Sequence, residues 1–390
     1  MPNKLPTRRE AVELIISRWS PTRRTETVAV TDALSRVSAR DEYAKFNIPV
    51  VRASSMDGIG VDSKRFALGV PDTSDWLLGR DYVRADTGDD FDDRFDAVIR
   101  IEDVTLGDIG VKIADGLHVT AGLNVRPAGS TVRRGDVLVR AGTRLRPHHL
   151  GALHLGGVTE LDVLMKPVVA FVPTGSELVP VGTEPRRGEI VDSNSVMVCN
   201  MLTEMGAEPL LFPIVRDEPD ALREALLTAA KLADIILVNG GSSKGGEDFN
   251  AEIIAELGEP ILHWVAAAPG RPMAAAILNG KPLINIPGPP LAAYFVTDWC
   301  ATALVAHYYG ITPPIRATVT ATLGGDYDAT PGMEILRKMN LEKTDDGWIA
   351  IPLHAHGGSA IETLTAPGKT ATDGGTETLA AGGVIEVEIV

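Results

Sequence analysis

The chain has 390 residues, 44% hydrophobic and 23% charged, with a formal net charge of −15. That length exceeds one small core and suggests roughly two to four domains, and the acidic balance without a long basic run argues against a nucleic-acid-binding surface, leaving only a local basic pocket open. Cys199 and Cys300 are the only cysteines, so neither a disulfide framework nor a thiolate zinc site is available.

The opening "MPNKLPTRREAVELIISRW" is charged and amphipathic, without the apolar region of a signal peptide. No stretch reaches the roughly 18 uninterrupted apolar residues of a membrane span, and a cytoplasmic protein is expected. Ala11, Leu14 and Ile15 sit at helical spacing and predict a helix over 8–18. "TETVAVTDALSRV" reads as a short strand followed by a helical turn capped by Thr31, with Asp32 beside it. From about 50 to 140, short β-type runs split by Gly, Pro and Asp predict a small β domain. "LRPHHLGALHLGGV" predicts a short helix that starts after Pro147 and ends at Gly156.

Residues 167–310 alternate in type. "VVAFVPTG", "PLLFPIV", "DIILVNGG" and "PLINIPG" read as buried strands. "SNSVMVCNMLTEMG", "DEPDALREALLTAAKLA", "DFNAEIIAELG" and "PLAAYFVTDWCATALVAHYYG" read as helices. The alternation predicts a parallel α/β sheet covered on both faces, with ligands bound in the loops at the carboxyl ends of its strands. From about 312 the β runs "IRATVTATL", "MEILRKMNLEK", "WIAIPLHA" and "VIEVEIV" predict a terminal β domain, with "TAPGKTATDGGTETLAAGG" as a turn-rich loop. The fold class is therefore α/β plus β.

Chemistry concentrates in the strand-end loops. In "NGGSSKGGED", Gly240, Gly241, Ser243 and Gly245 present backbone amides before a helix start, and Lys244 adds a full positive charge. This composes an anion cradle, unless the turn merely closes a βα unit with Glu247 and Asp248 capping the helix. It matches neither the phosphate loop nor the dinucleotide fingerprint. Glu177, Asp192, Asp217 and Asp248 bring carboxylates to several strand ends, a donor set suited to Mg²⁺ with substrate phosphates; taken singly, each also serves as a cap or a solvated charge. Arg271 in "AAPGRP" offers a bidentate fork to a phosphate or oxyanion. Pro287, Pro289 and Pro290 stiffen "IPGPP", where Pro290 equally suits a helix first turn. His354 and His356 form an H-x-H pair with no third ligand in view, and no nucleophile–base arrangement stands out.

The loops together resemble the molybdopterin molybdenumtransferase family (MoeA and the gephyrin E domain). "ASSMDGIGV", "ADTGDD…DAVIRIEDV", "PTGSELV…GEIVDSNSVM", "VRDEPDALREAL", "VNGGSSKGGEDF", "APGRPMA", "NIPGPPLAAYF", "GMEILRKMNL" and "HGGSAIETL" follow that family's order, from about residue 8 to the C-terminus. The resemblance implies an elongated dimerisation segment over 1–50 and 140–166, an inserted β domain over 51–139, a molybdopterin-binding α/β domain over 167–310 and a C-terminal β barrel over 311–390. It implies Mg²⁺-dependent insertion of molybdate into adenylylated molybdopterin with release of AMP. It also implies a homodimer whose cleft lies between subunits, and contact with the adenylyltransferase partner, with no nucleic acid and no membrane. By match to the family motifs, Asp57, Thr87, Glu177, Asp217 and Asp248 are the catalytic candidates, with Asp217 and Asp248 on the metal. Gly240, Gly241, Ser243, Lys244, Gly245, Arg271, Pro287, Pro290, Arg337 and Ser359 are the binding candidates.

Four departures stand out. The family's G-G-V-S-V-G is Gly240-Gly241-Ser242-Ser243-Lys244-Gly245, its K-P-G-K-P begins with Ala268, its P-G-N-P carries Pro289, and the tyrosine after "MDG" is Ile59. Lys244 is expected to restore the charge missing at Ala268. Pro289 brings none of the side-chain donors and acceptors of asparagine. Two other readings stand beside the transferase: a molybdopterin-binding carrier or regulatory module without turnover, and an adenylyl transferase acting on nucleotide-linked pterin.

Overall fold

The computed structural model describes residues 4–108, 110–240, 249–328, 330–353, 360–372, 374 and 378–390. They form two compact units, one of Thr25–Leu164 and one of the N-terminal residues through Arg24 together with Met165–Val390.

In the Thr25–Leu164 unit, strand Thr25–Ala29 pairs antiparallel with Glu160–Leu164. A three-stranded antiparallel sheet places Gly58–Val61 between Val83–Ala85 and Ala97–Arg100. Its apolar clusters include Ile59, Val61, Trp76 and Ile99 in one, Val30, Leu145, Leu153 and Leu161 in another, and Ala85, Phe91, Phe95 and Val98 in a third. Helix Pro147–Leu155 stops at Gly156, as the sequence suggests, and takes in Pro147 as its first residue. The turn after the first strand differs from expectation. It is a 3₁₀ turn over Val30–Asp32 that follows Ala29 and has no side-chain cap, so Thr31 lies inside it and does not cap it.

The second unit opens with helix Arg8–Ser17, closed at its start by a capping box. The Glu10 amide donates to Thr7 Oγ1 at 3.2 Å, and the Thr7 amide donates to Glu10 Oε2 at 2.7 Å. Its centre is a six-stranded sheet ordered Glu208–Leu211, Val168–Pro173, Ile235–Asn239, Lys281–Ile286, Ala274–Leu278, Glu259–His263. The first four strands are mutually parallel, but the last two are antiparallel to their neighbours. The sheet is therefore mixed, not wholly parallel. The sequence reading missed the two antiparallel strands because "EPILH" contains a proline and "AAAIL" is mostly alanine, a residue depleted in strands.

Helix Pro219–Leu232 shows why the alternation could be read. Pro219 takes its first turn, and Leu222, Leu226, Ala229 and Ala230 form one buried stripe at helical spacing. They pack with Ala170, Val172, Ile236 and Val238 of the sheet and with Ile253 and Ile254 of helix Phe249–Leu257. Helix Asn194–Met205 packs on strands Glu208–Leu211 and Val168–Pro173, helix Pro290–Val296 packs on Lys281–Ile286, and the two helices pack on each other. Gly206 ends the first of these in the left-handed region, φ 90°. The long apolar helix expected over 290–310 runs without a break from Pro290 to Tyr309, with a π-helical turn at Thr297–Ala301 between its α-helical parts Pro290–Val296 and Thr302–Tyr309.

The C-terminal strands close on themselves. Glu334–Thr344 pairs with Gly347–Pro352, which pairs in turn with Thr318–Leu323 and then Val384–Ile389. Gly368–Ala371 bridges Val384–Ile389 back to Glu334–Thr344, which completes a five-stranded barrel. That closing strand lies in the segment read from sequence as a loop. Its residues, "GKTA", carry little β propensity of their own, and a Cβ at Gly368 would press on Val387, so close packing selects the glycine.

Two outcomes follow. Leu226→Ala removes a fully buried side chain from the sheet-facing stripe and should cost about 2–5 kcal/mol, read by chemical denaturation. Burial opposes ionisation of Asp81, yet hydrogen bonds from the Leu77 amide, Arg80 and Arg65 bring its pKa down to about 2 from 3.8. The folded form thus binds the proton later than the unfolded chain, so this contribution is complete above about pH 4 and lost as the pH falls towards 2. Asp81→Asn should flatten that part of the acid-denaturation curve.

Candidate functional site

The carboxyl ends of the parallel strands carry the site residues of the second unit. Thr174 follows strand Val168–Pro173, and both its amide (2.8 Å) and its hydroxyl (3.2 Å) donate to the Asn239 carbonyl. Ser176 and Asp217 lock two neighbouring loops reciprocally: the Ser176 amide donates to Asp217 Oδ2 at 3.0 Å, and the Asp217 amide donates to Ser176 Oγ at 3.1 Å. Glu177 and Asp217 are both exposed at this edge.

Asn239 ends the next strand and is buried. Its side-chain amide donates to the carbonyls of Ile286 (3.1 Å) and Pro287 (2.9 Å), while the Asn194 amide donates to Asn239 Oδ1 (2.9 Å) and to the Gly288 carbonyl (2.8 Å). The carboxyl ends of strands Ile235–Asn239 and Lys281–Ile286 are thereby tied together. Gly240 adopts φ +135°, and a Cβ there would overlap the Thr174 carbonyl and hydroxyl, so glycine is required. Gly241, Ser243, Lys244, Gly245, Asp248 and Ser359 lie outside the described residues, as do His354 and His356.

Beyond Pro287 lies a cavity of ≈ 670 Å³ lined by Ala268–Pro272, Pro287, Pro289, Leu291, Asp328 and Leu336–Lys338, among others. Arg271 and Arg337 both reach it. Arg271 is exposed and lies 4.9 Å from the centre of the Trp264 ring. Arg337 stands 5.2 Å from the Tyr327 ring centre and 3.6 Å from Asp328 Oδ2. Strand Ala267–Ala268, inside the loop segment "AAPGRP", pairs parallel with Glu334–Thr344 and so joins the cavity's two walls. Pro290 is the first residue of its helix, with Pro289 preceding it, so its place is accounted for by the helix start. A second cavity, ≈ 620 Å³, lies on the same edge among Ser176, Asp192, Ser195, Phe212 and Arg216.

In the Thr25–Leu164 unit, the register Gly58↔Ala85 brings Asp57 beside the turn after Val83–Ala85. Asp57 Oδ1 accepts from the Thr87 hydroxyl and the Thr87 amide, both at 2.7 Å. The hydroxyl bond first, and then the amide bond, hold the Asp57 carboxyl below its usual range.

The structure thus groups Arg271, Pro287 and Arg337 at one cavity, ties Asp217 to Ser176 beside Glu177, and pairs Asp57 with Thr87. The sequence reading overlooked Ser176, Arg216, Ser195 and Lys338. Ser176 and Arg216 stand inside the quoted motifs "PTGSELV" and "VRDEP", and Lys338 directly follows Arg337; position in the motif was the signal available. Among the described residues, no group of three or more His, Cys, Asp or Glu side chains is placed to hold a metal.

Comparison with known proteins places this geometry. Residues 7–157 match the model for the MoeA N-terminal region (domain I and II), and residues 170–307 match the one described as "Probable molybdopterin binding domain". The chain is 29% identical over 334 residues to a molybdopterin molybdenumtransferase of Haemophilus influenzae, covering 82% of this chain and 78% of that one. It is 27% identical over 357 residues to the enzyme of that name from Staphylococcus aureus, covering 86% and 83%. The crystal structure of the molybdopterin biosynthesis MoeA protein from Pyrococcus horikosii superposes with a TM-score of 0.82 at 25% identity, over 99% of each chain. With both family models matched in order and the same fold over nearly its whole length, this chain belongs to the molybdopterin molybdenumtransferase (MoeA) family.

Proposed function

We propose that this chain carries out the metal-insertion step of molybdenum cofactor biosynthesis, placing molybdate into adenylylated molybdopterin with release of AMP. The observation that carries this reading is the ≈ 670 Å³ cavity in which Arg271 and Arg337 converge beside Pro287. Two guanidinium groups there suit a tetrahedral oxyanion, which each can meet through a two-pronged donor set. The strand-end loops next to it, pinned by Asn239, are stiff enough to hold a second, phosphate-bearing substrate in fixed orientation, and proximity of the two reactants lowers the barrier.

Within this proposal Asp217 and Asp248 hold Mg²⁺. Asp217 fits: it is an exposed hard-oxygen donor at a strand end, and a protein site of one or two carboxylates is usual for an ion that keeps waters and takes phosphate oxygens. Bound there, Mg²⁺ would offset phosphate charge during departure of AMP. Thr87 keeps Asp57 ionised, and Glu177 stands ready at the strand end as a proton acceptor or an orienting carboxylate. Gly240, Gly241, Ser243, Lys244 and Gly245 bind phosphate through the turn, and Pro290 and Ser359 complete the binding set. The finer organisation is proposed likewise: the four-domain division, a homodimer, cytoplasmic location and contact with the adenylyltransferase partner.

The test mixes purified protein with adenylylated molybdopterin, Mg²⁺ and molybdate. AMP release that requires molybdate is expected; tight binding without release would turn the reading to a carrier, and pyrophosphate formed from ATP and molybdopterin would turn it to an adenylyl transferase. Asp217→Asn should keep the fold yet lower AMP release by about tenfold or more, with a raised Mg²⁺ requirement. Gly240→Ala should cost on the order of 1–3 kcal/mol of stability through backbone strain and abolish most AMP release, read by thermal denaturation beside the same assay.

A further inference from the structure

Lys338 lines the oxyanion cavity and is only 1% exposed. Its Nζ lies 4.5 Å from the centre of the Tyr294 ring, and no described residue offers it a hydrogen bond or an ion pair. The neighbouring carboxylates are already engaged. Asp298 takes Lys369 and, at 2.5 Å, Arg316; Glu388 takes Lys369 at 3.3 Å. An aromatic face supplies partial negative charge but no acceptor for the three N–H donors of an ammonium group. A buried charge in that position is costly until an anion joins it. Burial, and then the nearby Lys369, push the Lys338 pKa down to about 8, which still leaves it cationic at neutral pH.

Among the described lining residues, Arg271, Arg337 and Lys338 face a single carboxylate, Asp328. The lining therefore carries two net positive charges with Lys338 and one without it. We propose that Lys338 sets the charge preference of the cavity, making it selective for a tetrahedral dianion over a tetrahedral monoanion of the same shape. This rests on the oxyanion reading above and adds the residue that discriminates. The matching dianion is either a free oxyanion such as molybdate or the phosphate of a nucleotide, since both present four oxygens around one centre with two negative charges.

The test uses the full-length protein and three probes: molybdate, perrhenate (a monoanion of the same geometry) and AMP. Isothermal titration is run on the wild type, Lys338→Met, Lys338→Arg and, as a control outside the cavity lining, Lys369→Met. Lys338→Met is expected to weaken the dianion by roughly ten- to hundredfold while changing perrhenate little. Lys338→Arg should retain most of the preference. A loss confined to molybdate identifies the free oxyanion, and a loss confined to AMP identifies the nucleotide phosphate. Lys369→Met breaks the pair with Asp298 and should lower Tm, whereas Lys338→Met, which removes an unpaired buried charge, should leave Tm at or above the wild-type value. If Lys338→Met does not fold, Lys338→Gln reads the same ratio. Equal losses for dianion and monoanion, or no loss of either dianion, overturn the role of Lys338 alone. Failure of the wild type to bind any of the three overturns the oxyanion reading together with it.

Discussion

The Asn239 side-chain amide, buried at the end of its strand, reaches the carbonyls of Ile286 and Pro287 and accepts from Asn194, which also holds Gly288. The carboxyl ends of adjacent parallel strands leave backbone carbonyls with no ladder partner, and an unpaired buried carbonyl costs about 1–3 kcal/mol. One asparagine supplies a donor to the Pro287 carbonyl and a second donor to the Ile286 carbonyl, which also accepts from the Gly240 amide, and thereby fixes the turn at Gly240 and the Pro287–Gly288 turn in one geometry. The candidate groups of the second unit depend on this arrangement. The entry to the glycine-rich segment, the proline wall of the basic cavity and the start of helix Pro290–Val296 all radiate from it.

Much of this architecture was legible in sequence because its elements obey local rules. Helix Pro219–Leu232 has proline at its start and a buried stripe at helical spacing, and helix Asn194–Met205 ends on a glycine in the left-handed region. What escaped was decided elsewhere in the chain. Strand Ala274–Leu278 is mostly alanine, and it forms because Lys281–Ile286 lies beside it and both are buried. Strand Gly368–Ala371 exists because a barrel had two edges to join. The π-helical turn at Thr297–Ala301 has no sequence signature of the kind that marks a cap or a stop.

The site divides in the same way. Asp57 and Thr87 stood in separate motifs, and the strand register brings them into hydrogen-bond contact. Arg271 and Arg337 were named from loops far apart in the chain, and one cavity receives both. Lys338 was passed over because alternation along a strand gives no reason to expect an ammonium group on its inward side. The expected compensation for Ala268 was assigned to Lys244, which lies outside the described residues. The cations that the structure does place along the same cavity as Ala268 are Arg271, Arg337 and Lys338.

Strand Ala267–Ala268 is two residues long, yet it hydrogen-bonds to Glu334–Thr344, the barrel strand to which the closing strand Gly368–Ala371 also pairs. The chain leaving the edge strand Glu259–His263 is therefore held to the barrel by main-chain bonds, which fix one wall of the basic hollow against the other. Such a receptacle meets its guest already shaped. Little ordering free energy is spent on entry, and discrimination has to come from the fixed number of charges in its walls rather than from closure around the guest.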